Sequence, residues 1–207
     1  MALRSITSCL LLGLALSSSA QTPDVNGEPL RAWLKVHLYE TQFNDLGYNG
    51  AREQMYSFTD EINDSIFCIY TGFGQLSSVT TFPNPINAEH IIPQSYYGSV
   101  SPMRSDIHNL RPSHQSPNSA RGNLPFAEAD DNLSNWYGID GSGNYFSTST
   151  QPSEDPGFSE RISTSWEPRE DRKGDVARQA FYFFTMYPHA AGDITVIGSI
   201  SDLLNWH

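Results

Sequence analysis

The sequence predicts an α+β fold that is mainly helical and contains a small sheet. Apolar residues recur at helical spacing near both ends of the chain, in residues 30–39 and 175–187. Short runs of strand character lie between them, the first at residues 66–70. With 207 residues and 38% hydrophobic residues, the chain is long enough to bury one core. We therefore expect one domain.

Two helices are predicted in the first third of the chain. The first covers residues 30–39, because its apolar residues fall on one helical face. The second covers residues 50–62, with Met55 and Phe58 facing inward. A strand at residues 66–70 follows directly.

The second half of the chain is predicted to contain a long loop and a long helix. Residues 138–159 are rich in Gly, Ser, Thr and Pro, which is typical of a loop. Residues 175–187 have helical apolar spacing; Asp175 is the expected cap and Pro188 the expected stop.

The first twenty residues have the layout of a secretory signal peptide. Arg4 is their single charged residue, residues 10–16 are apolar, and small residues end at Ala20. The apolar stretch is too short to span a bilayer. Removal of residues 1–20 would leave Cys68 as the single cysteine, so no internal disulfide could form. We expect a secreted or periplasmic protein that does not associate with membranes after cleavage.

The charge of the chain is unevenly distributed. The chain has 23 acidic and 12 basic residues and a net charge of −11, which excludes a globally basic nucleic-acid-binding protein. Residues 90–123 differ, because they contain Arg104, Arg111 and Arg121 against a single carboxylate, Asp106. Local positive charge is what a phosphate-binding surface requires.

The same region is predicted to form two strands followed by a helix. Residues 88–92 and 107–111 are extended pieces that each end at a proline. Ser116 is the expected helix cap, with Pro117 at the first helical position and Asn118 in the first turn. This arrangement can bring a strand residue and a helix residue to one metal ion.

The residue types in this region suit phosphodiester hydrolysis. Glu89 and Asn118 offer hard oxygen ligands for Mg²⁺ or Ca²⁺, and a neutral His90 can accept a proton from water. Adjacent strand residues point to opposite faces, so Glu89 and His90 can serve one site only where the strand bends or bulges. Asp106 and His108 are expected to orient the second strand by hydrogen bonds.

Four sequence blocks, in this order, resemble the endonuclease I family of secreted and periplasmic nucleases, within the wider ββα-metal group. The resemblance covers the chain from about residue 30 to its end. The blocks are NAEHIIPQS at 87–95, DIHNLRP at 106–112, NSARGNLPF at 118–126, and WEP at 166–168 followed by KGDVAR at 173–178.

The resemblance implies a metal-dependent, sequence-nonspecific endonuclease with a ββα-metal motif. His90 would be the general base, and Glu89 and Asn118 would hold one divalent cation, Mg²⁺ or another such as Ca²⁺ or Mn²⁺. Arg104 and Arg121 are the candidates for contact with the phosphate. The substrate would be DNA, with RNA as a second possibility, and the products would carry 5′-phosphates.

Two alternatives from other functional classes stay open. Residues 21–207 would form the nuclease domain of a monomer, but family members usually continue into a further basic segment. The chain is therefore expected to be a fragment or a natural short form, and a catalytically weak nucleic-acid-binding protein is one alternative. The other is an exported metal- or carbohydrate-binding module, which the acidic and aromatic-rich composition would suit.

Overall fold

A computed structural model describes Asp24 and residues 26–79 and 85–207, so the predicted leader lies outside the described residues. The α-helices of this part are α1 (Gly27–Leu34), α2 (Gly47–Gln54), α3 (Gln115–Arg121), α4 (Lys173–Met186) and α5 (Ile200–Trp206). Its first strands are β1 (Glu61–Ile62), β2 (Ser65–Phe67), β3 (Gly74–Leu76), β4 (Ile86–His90) and β5 (Leu110–His114). The later strands are β6 (Asn135–Ile139), β7 (Tyr145–Thr148), β8 (Ser159–Arg161) and β9 (Trp166–Glu167).

The strands form three small antiparallel sheets. One has the order β1–β2–β3, one is the pair β4–β5, and one has the order β7–β6–β8–β9. Helices and antiparallel sheets are mixed along the chain, which confirms the predicted α+β class. The sequence predicted one small sheet, whereas the strands of the described residues form three.

Helix α4 lies at the centre of the main hydrophobic core. Its apolar residues repeat at helical spacing and are buried, so burial of one whole helical face stabilises the domain. The α4 residues in this core are Val176, Ala177, Ala180, Phe183, Phe184 and Met186. Among the described residues, no helix is both long and apolar enough to cross a membrane.

The predicted helices of the first third are present with shifted ends. Helix α1 continues as a π-helical stretch, Lys35–Glu40, and α2 continues as another, Met55–Thr59. Met55 is fully buried as predicted, whereas Phe58 is 74% exposed and its predicted inward position is wrong. The wider π-helical turn changes the angle between these two side chains, so the simple 3.6-residue pattern fails here.

Strand β5 begins three residues later than predicted. Residues 107–109 form a short 3₁₀ helix, because the Asp106 side chain accepts a hydrogen bond from the backbone N–H of His108. The helix that follows is capped by His114, whose Nδ1 accepts from the N–H of Ser116, so the predicted Ser116 cap is wrong. These shifts follow from local side-chain caps.

The predicted loop at residues 138–159 is wrong in its first part. Strands β6 and β7 form a hairpin there, with Ile139 opposite Tyr145. The Asp140 carboxylate accepts hydrogen bonds from the backbone N–H groups of Ser142 and Asn144, which fixes the tight turn. The small polar residues of this segment therefore form a turn between two paired strands.

Helix α4 begins two residues earlier than predicted, and Asp175 lies in its first turn. The Asp175 carboxylate pairs with Arg172 and Arg178 and does not cap the helix. A carboxylate is favourable both at the N-cap and in the first turn of a helix. The presence of Asp175 therefore did not distinguish a helix that begins at residue 175 from one that begins two residues earlier.

Asp106 connects the segment before β5 to α4, which supports its predicted structural role. The carboxylate is 1% exposed and accepts hydrogen bonds from Tyr182 Oη at 2.9 Å and Tyr187 Oη at 2.6 Å. Its other oxygen accepts from the N–H of His108. Burial alone would raise the pKa of Asp106, but the hydrogen bonds from His108, Tyr187 and Tyr182 lower it below the usual value.

We expect Tyr187→Phe to lower the free energy of unfolding by about 1.5–3 kcal/mol, because it removes a hydrogen bond to a buried charge. Urea unfolding at pH 7 would measure the change. The pKa of Asp106 is lowered in the folded state, so the difference from wild type should decrease as the pH falls through that pKa. Tyr145→Phe is the control, since no partner of the Tyr145 hydroxyl occurs among the described residues. Equal losses in both variants would contradict the prediction.

Candidate active site

A cleft of about 760 Å³ opens where β4 and α3 meet the loop between β4 and β5. Four of the five residues that the sequence singled out line this one cleft, although they lie up to 29 positions apart in the chain. The lining residues are Tyr48, Asn87, Ala88, Glu89, His90, Pro93, Gln94, Ser95, Arg104, Asn118, Gly122 and Asn123.

Strands β4 and β5 and helix α3 place three of these side chains. In the β4–β5 pair, Glu89 lies opposite Arg111 and His90 lies opposite Leu110. Helix α3 begins directly after β5 and carries Asn118 back to the side of β4. The sequence motif thus becomes a compact strand–strand–helix unit whose strand end and helix face the same cleft.

Glu89 and His90 have different neighbours, as opposite faces of a strand require. The Glu89 carboxylate contacts Tyr70, whereas the His90 ring stacks on Tyr48 at 5.6 Å. Both residues nevertheless line the cleft, because β4 ends at His90 and the cleft extends around this strand end. This position at the strand end resolves the conflict that the sequence posed.

The geometry of His90 leaves one ring nitrogen available as a base. Nε2 lies 3.0 Å from the carbonyl oxygen of Arg104. A carbonyl can only accept, so Nε2 carries the proton in the neutral ring and Nδ1 keeps its lone pair. Burial lowers the pKa of His90 to about 4, which keeps the ring neutral near pH 7.

The Glu89 carboxylate is buried and receives two hydrogen bonds on the same oxygen. Tyr70 Oη donates to Oε1 at 2.7 Å, and Arg121 Nη1 donates to Oε1 at 3.0 Å. Burial raises the pKa of Glu89, and the charge of Arg121 together with the bond from Tyr70 opposes that rise. The second oxygen, Oε2, receives neither of these bonds.

Glu89 and Asn118 fit a divalent cation by their chemistry. Within the part of the chain that the structure describes, the Asn118 side chain has no hydrogen-bond partner, so its amide oxygen is free to bind a ligand. One carboxylate and one amide oxygen suit Mg²⁺, which usually keeps several waters and also binds substrate phosphate. The described residues contain no cluster of three or more His, Cys, Asp or Glu arranged for metal binding, so a cation here would have few protein ligands.

Arg104 presents a guanidinium group to the cleft. Its Cζ lies 4.5 Å from the centre of the Tyr48 ring, and its buried Nε has no hydrogen-bond partner among the described residues. No ion pair of Arg104 is found in residues 26–79 and 85–207. A guanidinium that has no carboxylate partner among the described residues is suited to binding an anionic ligand.

Arg121 does not lie where the sequence predicts. Its side chain is fully buried behind Glu89, and it does not line the cleft. Besides Glu89, it donates to the backbone carbonyls of His90 at 3.2 Å and Ile91 at 2.9 Å. Helical spacing from Asn118 suggested a shared surface, but these bonds direct the Arg121 guanidinium into the core and away from the cleft.

Two tyrosines of the site were missed by sequence reasoning. The centre of the Tyr48 ring lies 4.5 Å from Arg104 Cζ and 5.0 Å from Arg52 Cζ. Tyr70 donates a hydrogen bond to Glu89. Both residues precede the motif region by at least 17 positions, and the predicted strand at residues 66–70 gave no sign that Tyr70 contacts Glu89. Only the three-dimensional fold brings Tyr48 to the cleft and the buried Tyr70 to the Glu89 carboxylate.

Comparison with known proteins places this geometry in a family. A model of the family "Endonuclease I" matches residues 31–202. An extracellular ribonuclease of Bacillus amyloliquefaciens is 33% identical, over 58% of this chain and 40% of the relative. An extracellular ribonuclease of Bacillus subtilis (strain 168) is 38% identical, over 49% of this chain and 29% of the relative. The match thus spans less than half the length of either relative. Because the family match covers most of the chain and includes the whole cleft, the chain belongs to the Endonuclease I family.

Proposed function

We propose that the chain is an exported, metal-dependent endonuclease that hydrolyses phosphodiester bonds without sequence specificity. The observation that carries the proposal is the single cleft in which Glu89, His90, Arg104 and Asn118 meet. In this proposal β4, β5 and α3 form a ββα-metal motif, and residues 21–207 act as one monomeric nuclease domain. A base, a cation site and a free guanidinium are the groups that this hydrolysis requires.

His90 acts as the general base. Its Nδ1 takes the proton from the attacking water, while the carbonyl of Arg104 accepts from Nε2–H and holds the ring in one tautomer. The same carbonyl stabilises the imidazolium that forms, because Nε2 stays protonated throughout. Stacking on Tyr48 restricts ring rotation. His90 is therefore pre-oriented before substrate arrives.

Glu89 and Asn118, which both line the cleft, would hold the cation. The family is generally dependent on divalent metals, and the oxygen donors favour Mg²⁺, with Mn²⁺ or Ca²⁺ as alternatives. A cation bound there supplies charge stabilisation for the phosphate and the departing 3′-oxygen, which gives 5′-phosphate products. Arg104 binds the same phosphate through its guanidinium N–H groups.

The proposed substrates are RNA and DNA. Both relatives are named ribonucleases, and the cleft presents groups suited to the phosphate that both polymers share. Contacts to phosphate position a nucleic acid but carry no direct sequence information, so the proposal is a nonspecific enzyme. The names of the relatives also support export, for which residues 1–20 would be the leader.

The proposal is tested by incubating residues 21–207 with supercoiled plasmid and with single-stranded RNA, in Mg²⁺ and in EDTA. In Mg²⁺ we expect nicking and then linearisation of the plasmid, fragmentation of RNA, and products with 5′-phosphate ends. In EDTA we expect no cleavage of either substrate. Binding without cleavage by the folded protein would favour the nucleic-acid-binding alternative. Cleavage that continues in EDTA would refute the metal-dependent mechanism.

A further inference from the structure

We propose that Tyr70 and Arg121 form a clamp on Glu89 that sets the affinity of the cleft for its divalent cation. The clamp is defined by the two hydrogen bonds to Glu89 Oε1, from Tyr70 Oη at 2.7 Å and from Arg121 Nη1 at 3.0 Å. The inference rests on the proposed function, because it assigns a role toward the cation that Glu89 is proposed to bind. Both residues are positioning residues and do not contact the cation themselves.

The clamp fixes the orientation of the carboxylate. Two donors converge on one oxygen, so rotation of the carboxylate group would break both hydrogen bonds together. With Oε1 held in this way, Oε2 is the oxygen available for a ligand in the cleft. A ligand held in its binding geometry before the cation arrives loses less conformational entropy on binding.

Arg121 is itself held in place on several sides. Its guanidinium donates to the backbone carbonyls of His90 and Ile91 and packs 4.4 Å from the centre of the Phe126 ring. These bonds connect helix α3 to the end of β4. The side chain is fully buried, so it cannot exchange Glu89 for water or substrate without opening the core.

Tyr70 is equally constrained, but by other elements. It is fully buried, its ring packs 4.9 Å from that of Trp166, and its backbone carbonyl accepts from Ser159 Oγ at 2.7 Å. Contacts with β8 and β9 therefore hold Tyr70 in position to donate to Glu89. The clamp approaches the same oxygen from two independent parts of the fold.

A purely structural role explains this arrangement less well. A buried ion pair contributes little net stability, because desolvation of both charges offsets their attraction. Among the described residues, Glu89 is also the single carboxylate that lines the cleft. Outer partners that hydrogen-bond to metal ligands commonly change metal affinity by about 10–100-fold when they are removed.

The test is Mn²⁺ binding in the absence of nucleic acid, measured by titration calorimetry and by the electron paramagnetic resonance signal of free Mn²⁺. We expect Tyr70→Phe, which removes one oxygen atom, to raise the Kd for Mn²⁺ about 10-fold. Tyr182→Phe is the matched control, since Tyr182 donates to the buried Asp106 carboxylate outside the cleft. It should leave the Kd unchanged. Glu89→Gln provides the reference for loss of the ligand.

The Kd for Mn²⁺ of Arg121→Lys is a second, independent test of the clamp. An ammonium group keeps the charge but cannot hold the carboxylate and two carbonyls at the positions that the guanidinium reaches. We expect it also to raise the Kd about 10-fold, measured well below its melting temperature. A wild-type Kd in both Tyr70→Phe and Arg121→Lys, with binding lost in Glu89→Gln, would overturn the clamp alone. Mn²⁺ binding in Glu89→Gln equal to that of wild type would overturn the proposed cation site and the clamp with it.

Discussion

In Mg²⁺, His90→Ala should cleave plasmid about 10²–10⁴-fold more slowly than the unmodified chain, the usual range for loss of a general base. The structure gives a specific reason for a large effect. Nδ1 has a free lone pair, because the other ring nitrogen, Nε2, carries the proton and donates it in a hydrogen bond to the carbonyl of Arg104. Alanine leaves no proton acceptor at this position, and water in the space that the ring vacates would be a far weaker base. The affinity for uncleaved DNA should change little by comparison.

The control for this variant is His37→Ala. His37 is exposed, stacks on Trp33 and lies outside the cleft. It should cleave at the wild-type rate. Equal rates in His90→Ala and wild type would remove His90 from the mechanism, whatever the metal dependence.

The low pKa of His90 adds a pH dependence to the same prediction. Burial lowers this pKa from about 6.5 to about 4, so the neutral base is present down to about pH 4. The unfolded state binds a proton that the folded state lacks between these two values, so His90 makes stability rise with pH across that window. We expect the acid limb of the rate that His90 controls to lie near pH 4, and His90→Ala to flatten the pH dependence of stability above it. An acid limb centred near 6.5 would contradict the burial argument.

The sequence indicated which residues line the cleft better than it indicated the residues that contact them from behind. Glu89, His90 and Asn118 lie within short blocks, so residue type and order were enough to propose them, and the fold brings them to one cleft. Arg104 was also accessible to sequence reasoning, because a positive charge in an acid-poor stretch is visible locally. Their chemistry is a property of the side chains themselves.

The role of Arg121 could not be predicted in the same way. A local pattern placed it near Asn118 on a helix, but its direction depends on acceptors in β4 and on Phe126. Tyr70 shows the same limit, since it reaches Glu89 across 19 positions of sequence. Burial and partners are set by tertiary packing, which helical spacing alone does not contain. The ends of β5 and α3 were misplaced for a related reason, because Asp106 and His114 provide caps that compete with simple propensity.

Removing the proposed cation ligands together, in Glu89→Gln with Asn118→Ala, should lower the rate in Mg²⁺ by about 10²-fold or more. A cation at a transferring phosphate supplies several kcal/mol of charge stabilisation, and each 1.36 kcal/mol is about a tenfold change in rate. Glutamine at position 89 has nearly the shape of glutamate, and its amide oxygen can still accept the hydrogen bond from Tyr70. Glu89→Gln therefore changes mainly the charge at this position. Ser119→Ala, an exposed neighbour of Asn118 in α3 outside the cleft, is the control and should retain the wild-type rate.

The response to metal concentration separates this loss from the loss of the base. Asn118→Ala alone keeps the Glu89 carboxylate, so its deficit should be a weaker affinity that millimolar Mn²⁺ restores in large part. His90→Ala keeps both proposed ligands, and no concentration of Mn²⁺ should restore its rate, because the missing group is a proton acceptor. If Mn²⁺ restored the rate of His90→Ala and did not restore that of Asn118→Ala, the assignment of His90 as the base and Asn118 as a cation ligand would be wrong. The proton acceptor and the cation ligands would then have to be reassigned among Glu89, His90 and Asn118.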